Sequence, residues 1–191
     1  MGEPARKIEP ATMADLEALP ASVKGEIIEG VLYTQARPRA RHQLMITRLD
    51  RGLGGAFQQG GEGSGGWWIL PEPGIELPGS PEFSPDLAGW RVERMPELPE
   101  NEAIQIVPDW VCEILSPSTR NYDLRTKRAF YARIGVSYLW YVDLEAQTLT
   151  VSRLHEGKWL ELGVFGSDDK VRAEPFEAVE LALEQWWPAN K

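Results

Sequence analysis

One cysteine, Cys112, and two histidines, His42 and His155, are all that 191 residues hold of those types. That excludes a disulfide framework and makes a reducing cytoplasm the expected setting. No second His or Cys stands near His42, and His155 falls in a turn signal, so a zinc site is not expected. No apolar run approaches the 18 or so residues of a membrane span, so no membrane partner is expected. The opening "MGEPARKIEP" lacks an apolar core, so no secretory leader is expected either. Positive charge is also short. Twenty Lys and Arg face 29 Asp and Glu, a net charge of −9, which taken alone argues against a nucleic-acid partner. The glycine cluster "GGEGSGG" lacks the Lys-Ser/Thr that completes a phosphate-binding P-loop. Ser116 and Ser118 have no nearby His to activate them, which argues against a serine hydrolase.

What is present suits one soluble domain over residues 1–191. Hydrophobic content is 42% and charged content 26%, enough for a sizeable core. The charges are unevenly spread. Ten of the 20 basic residues fall in two short windows. One holds Arg37, Arg39, Arg41, Arg48 and Arg51. The other holds Arg120, Arg125, Lys127, Arg128 and Arg133. Residues 62–113 carry 11 acids against Arg91 and Arg94. The basic windows read either as solvated helix faces or as phosphate contacts, Arg39, Arg41 and Arg125 foremost.

Local signals give an order of elements. Thr12 can cap a short helix that Pro20 stops. "GEIIEGVLYTQ" reads as two strand pieces turning at Glu29-Gly30. His42, Met45, Leu49 and Leu53 form one helical stripe between about 38 and 59, weakened by Gly52, Gly54 and Gly55. "WWIL", "GIEL" and "PDLAGW" are strand-like, and "ERMPELPENEA" reads as an exposed loop. "DWVCEIL" and "SYLWYVD" are apolar on both faces, which marks buried strands. The segment between them, "NYDLRTKRAFYARIG", is a helix with Asn121 as N-cap and Gly135 as C′. A strand, a helix and a strand in that order predict a parallel pair. "TLTVSRL" and "KWLELGVF" predict a hairpin on "HEG", and the tail ends in a short helix near "LALEQWW".

One residue breaks the apolar pattern. Alternation places Val111, Glu113 and Leu115 on one face of a buried strand. An unpaired carboxylate there would cost several kcal/mol. The following helix offers an answer. Leu124, Lys127, Tyr131 and Ile134 form its sheet-facing stripe, and Asp123, Lys127 and Tyr131 stack at i, i+4, i+8. Lys127 is therefore aimed at the layer holding Glu113, unless it snorkels to solvent. A second carboxylate, Asp86, stands at the start of "DLAGW". Two carboxylates from adjacent strands suit a hard divalent cation, which can activate water beside a phosphoryl group. Asp109 is the competing acid, but it sits at the opposite end of the strand from Glu113.

The run "SPDLAGW … PDWVCEILSPSTRNYDLRTKRAFYARIGVSYLWYVD" resembles the PD-(D/E)XK nucleases, and more closely the restriction endonuclease-like family called Uma-two. "GEIIEG" is similar to that family's entry strand. The resemblance implies an α/β (α+β) fold with a restriction-endonuclease-like core, a mixed β-sheet flanked by helices in the order αβββαβ, and a C-terminal hairpin. It implies Asp86 and Glu113 as metal carboxylates, Lys127 as catalytic lysine, and Mg²⁺ or Mn²⁺ as cofactor. It implies DNA as substrate, and a homodimer would suit a cut in both strands, with "EQWW" as its apolar contact. Glu26, His42, Asp123 and Tyr131 are additional site candidates. Leu115 stands where the superfamily motif has its lysine, so Lys127 takes that place from the helix. A nuclease fold serving binding or regulation, or a hydrolase of smaller phosphate esters, is the alternative.

Overall fold

The structure is a computed structural model that describes residues 9–37, 39–58, 65–100 and 103–187. Most of the glycine-rich stretch, residues 60–64, lies outside them.

Helix α1 (Met13–Glu17) follows Thr12, whose backbone N–H and hydroxyl donate to Asp15 Oδ2 at 2.7 and 2.9 Å. Strands β1 (Val23–Ile28) and β2 (Val31–Ala36) form the predicted hairpin. Its turn places Glu29 and Gly30 at φ of 52° and 76°, the two positive values that a tight hairpin needs. Helix α2 (Ala40–Leu53) buries Met45, Leu49 and Leu53, the predicted stripe. At Gly54, among the glycines that weaken the pattern, α-geometry gives way to a π-helical turn over Gly54–Gln58.

Then come β3 (Trp67–Pro71), β4 (Ile75–Leu77), β5 (Ser80–Phe83), β6 (Leu87–Arg91) and β7 (Trp110–Leu115). A second π-helical segment, Tyr122–Lys127, runs directly into α3 (Arg128–Ile134). Strand β8 (Tyr138–Asp143) follows, then the hairpin of β9 (Thr148–His155) and β10 (Lys158–Phe165), and last the short β11 (Lys170–Val171) and β12 (Leu181–Ala182).

The main sheet has six strands in the order β10-β9-β8-β7-β6-β3. Strands β7 and β8 are parallel, as a helical crossover requires, and the other neighbours are antiparallel. Counting only this sheet, the order from α2 is αβββαβ, because β4 and β5 leave it to join β1 and β2 in a second, four-stranded sheet. On β6, Gly89 leaves room for two rings: a Cβ there would meet Trp110 at 3.1 Å and Trp67 at 3.3 Å.

Every residue of β7 is buried, and its alternation sorts two cores. Trp110, Cys112 and Ile114 face α2 and the tail, while Val111 and Leu115 face α3. Three expectations need correction. Asn121 is not an N-cap: it is already helical at φ −67° and ψ −36°, because Arg120 N–H bonds Ser116 O at 2.9 Å and starts the turn earlier. The "ERMPELPENEA" stretch is not wholly exposed, since Met95 is buried in the α3-side core. Trp186 and Trp187 pack into the α2-side core of their own chain, so "EQWW" is no exposed apolar patch.

Candidate functional site

Glu113 sits on β7, two residues before the strand's carboxyl end. Its neighbours on that face are apolar, so its carboxylate has no water to fall back on. The side chains that meet it come from the crossover helix. Lys127 Nζ lies 2.7 Å from Glu113 Oε1, and the Tyr131 hydroxyl donates to the same oxygen. Both residues are buried, so the lysine does not snorkel. The i, i+4 spacing of Lys127 and Tyr131 brings the two donors to one acceptor.

Lys127 serves a second acid. Its ammonium lies 3.4 Å from Glu26 Oε1 and donates to the Ser84 carbonyl at 3.3 Å. Glu26, on β1, is only 2% exposed. It accepts the Ser84 backbone N–H at 2.8 Å and the Tyr122 hydroxyl at 3.0 Å. The β1–β2 hairpin thus delivers its glutamate into the interior.

Asp86 immediately precedes β6. Because Leu87 pairs with Cys112 across β6 and β7, Asp86 arrives beside the Glu113–Ile114 step. Its Oδ2 accepts the Ile114 N–H at 2.7 Å and lies 3.0 Å from His42 Nε2 on α2. His42 therefore holds an acid of the site, while its Nδ1 is buried without a hydrogen-bond partner. Asp123 is also buried, and its backbone carbonyl accepts the Tyr141 hydroxyl at 2.9 Å.

The electrostatics follow from crowding. Burial drives the Glu113 carboxyl up to about 8; Lys127 opposes this, and the charges of Asp86, Asp123 and Glu26 reinforce it. Burial likewise lifts Asp123 to about 6 against the pull of Lys127. Burial also opposes the charge on Asp86, yet the hydrogen bond and charge of His42 outweigh it and hold Asp86 below the usual range. Burial would depress Lys127, but Glu113 and Glu26 more than offset it and keep the amine charged.

Four carboxyl groups thus surround one lysine and one histidine. Among the described residues no three His, Cys, Asp or Glu side chains converge as a ready metal cage. The donor chemistry nonetheless fits a hard divalent cation held by two carboxylates, Asp86 and Glu113, with water filling the rest of its shell. The surplus of buried negative charge, which pushes Glu113 toward its neutral form, is what such a cation would relieve. Cys112, the soft ligand nearby in sequence, faces the other core.

The structure therefore brings together Asp86, Glu113, Lys127, Glu26, His42, Asp123 and Tyr131. Asp109 is elsewhere, at the far end of β7, bonded to Arg94 at 2.6 Å and to the Arg91 N–H at 2.9 Å. Arg39, Arg41 and Arg125 do not enter the cluster and lie exposed. Much of the remaining basic charge is spent within the fold. Arg48 donates to the Trp186 carbonyl, Arg133 chelates Glu29, and Arg120 pairs with Asp143. Tyr122, Ser84 and Tyr141 escaped the sequence reading. Tyr122 sits one residue before Asp123 on the π-helical segment, whose wider turn no α-helical stripe predicts.

A family model described as "Uma2: Putative restriction endonuclease" matches residues 12–184. Among solved structures, one described as "a putative nuclease belonging to DUF820 from Anabaena variabilis" is 21% identical, with 93% of this chain and 98% of that chain covered and a TM-score of 0.72. At that identity the likeness shows a shared fold. No curated protein matches.

Proposed function

This chain belongs to the Uma2 family of restriction endonuclease-like proteins, and from that premise we propose that it is a divalent-metal-dependent endonuclease that hydrolyses DNA phosphodiester bonds. The observation that carries the reading is the fixing of Glu113, beside Asp86, by Lys127 at 2.7 Å and by Tyr131. A structural ion pair needs one carboxylate per lysine. This cluster has more acid than its cations neutralise, and its two forward acids lie at the carboxyl end of a parallel strand, where ligands of such sheets bind.

In this reading Asp86 and Glu113 hold Mg²⁺ or Mn²⁺. The bound ion supplies a water of lowered pKa and neutralises charge on the phosphate. Tyr131 fixes the Glu113 carboxylate, and His42 with the Ile114 N–H fixes that of Asp86, the kind of support that orients metal ligands. Lys127, braced by Glu26 and the Ser84 carbonyl, presents a positive charge to the attacking water and to the phosphoryl oxygens. Arg39, Arg41 and Arg125 are exposed, near His42 and Lys127 in sequence, and would serve as contacts to the DNA backbone. Residues 1–191 act as one nuclease-like domain, a homodimer would deliver two cuts to a duplex, and the cytoplasm is its setting. Among the described residues no helix is long and apolar enough to cross a membrane.

The test is nicking of supercoiled plasmid by purified protein with Mg²⁺ or Mn²⁺, against EDTA and against Ca²⁺ alone. Metal-dependent nicking that Glu113→Gln abolishes supports the reading; equal nicking by the variant rejects it. The near-complete burial of Glu113 and Lys127, each 2% exposed, favours a second reading in which the fold binds DNA without cutting it. DNA binding with no nicking in either metal would select that one.

A further inference from the structure

A cavity of about 330 Å³ opens at the carboxyl ends of β7 and β8, lined by Leu115 and Asp143, their last residues. It also takes in Tyr141, which pairs with Glu113 across the sheet, and Thr150, which pairs with Tyr141. Glu113, Tyr141 and Thr150 therefore lie in one row over three neighbouring strands. At about 4.8 Å per strand, Thr150 is roughly 10 Å from Glu113. The cavity is thus a neighbour of the carboxylate cluster but shares none of its acids.

Its lining carries opposite charges. Arg120 is spent on Asp143. Arg128 and Glu161 both line the cavity, and neither has an ion-pair partner among the described residues. The Arg128 guanidinium lies 6.0 Å from the ring centres of both Tyr141 and Trp159, and Trp159 donates its indole N–H to the Arg128 carbonyl at 2.9 Å. The guanidinium is therefore backed by aromatic rings, and Glu161 stands exposed on β10. A simple anion would suit Arg128 but be repelled by Glu161, and a simple cation the reverse. A ligand that answers both carries an anionic group at one end and an N–H donor at the other.

We propose that this cleft is a nucleotide subsite, in which Arg128 holds a phosphate oxygen and Glu161 accepts an N–H from the amino-bearing edge of cytosine, adenine or guanine. The proposal rests on the nuclease reading for the presence of a nucleic-acid strand. It adds to that reading a residue, Glu161, that discriminates among bases. Carboxylates read amino groups on base edges in this way, and guanidinium groups bind phosphate.

The experiment needs neither metal nor cleavage. The four deoxynucleoside monophosphates are titrated into the full chain in EDTA, following the Trp159 indole N–H by NMR, with its resonance assigned through Trp159→Phe. dCMP, dAMP and dGMP should each shift it saturably, and inorganic phosphate should compete. Thymine offers one ring N–H and no amine, so dTMP should bind several-fold more weakly. Arg128→Gln should weaken all four by about tenfold, the loss of a charge-assisted contact. Glu161→Ala, which removes the acceptor at an exposed strand position, should erase the preference over dTMP while retaining phosphate competition. Four equal affinities unaltered by Glu161→Ala, no shift at all, or a shift produced only by a zwitterionic amino acid would each overturn the subsite. Plasmid nicking that persists without nucleotide binding would remove the subsite and leave the nuclease reading. Binding without nicking would do the opposite.

Discussion

The two faces of strand β7 are built from neighbouring residues, yet they are different materials. The face toward α2 is a dry aromatic core. Phe176 meets Trp110, Trp140, Trp67 and Phe57 with ring centres 4.8–5.5 Å apart. The face toward α3 starts in the same way, with Phe83 edge-on to Phe130 at 4.9 Å, and then gives way to Glu113, Lys127, Tyr131 and Asp123. Edge-to-face rings and buried area make the first face a source of stability. A buried ionic cluster is weak evidence for stability, since desolvation offsets most of the Coulomb gain. The contrast teaches that one strand can anchor the fold with its even-numbered side chains and hold a chemical group with an odd-numbered one.

The largest effect should come from the aromatic face. Phe176→Ala should cost about 3–5 kcal/mol of stability, the usual result of emptying a large core site. The protein that remains folded should keep its specific activity. Urea unfolding beside an active-fraction assay checks this, and a Phe176→Ala protein that is stable but inactive would break the division of labour.

On the other face, Asp86→Asn, Glu113→Gln and Lys127→Ala should each lower the nicking rate at least about a hundredfold, near 2.7 kcal/mol of barrier. Lys127→Ala also strands Glu113 and Glu26 as buried acids, so it alone of the three should lose stability substantially. Circular dichroism melts recorded with the rates separate the two effects. Equal residual nicking in all three variants would indicate a contaminant.

A smaller effect concerns pH. Glu113 titrates near 8 in the fold and at an ordinary carboxyl value when unfolded. The folded state therefore binds the extra proton, and the stability this gives is complete below the unfolded value and lost as pH rises through about 8. In EDTA, the wild type should lose melting temperature between pH 6 and pH 9, and Glu113→Gln should flatten that slope. A difference of roughly 1 kcal/mol would appear as about 2–4 °C at this length. Magnesium at a hundred times its dissociation constant should restore about 2.7 kcal/mol to the wild type alone. Identical pH slopes, with no response to magnesium in either protein, would place Glu113 with the structural residues.

The smallest effect belongs to the surface. Arg39→Ala and Arg125→Ala should each make the log-log salt dependence of DNA binding shallower by about 0.9, one phosphate contact apiece on duplex DNA. Slopes unchanged in both would assign these arginines to solvated helix faces.

Local pattern carried much of this protein. The alternation in "DWVCEIL" is enough to split Cys112 from Glu113, because a strand's side-chain period of two leaves no other arrangement. Helical spacing aims Lys127 and Tyr131 together, and Glu-Gly at Glu29-Gly30 and at Glu156-Gly157 requires tight turns. The position of a charged residue within an apolar stripe exposed the site, since burial of charge demands a partner. Other features depend on which distant segments meet. Glu26 reaches Lys127 only because β1 lies beside the strands that frame Ser84, a matter of packing between sheets. His42 finds Asp86 because α2 covers the end of β6. Asn121 lost its predicted cap to an earlier turn, and Trp186 and Trp187 turned inward because the tail packs on the aromatic core. A sequence fixes local period and the cost of burying each group; which partner meets that cost is settled by contacts dozens of residues apart, and only the tertiary structure decides those.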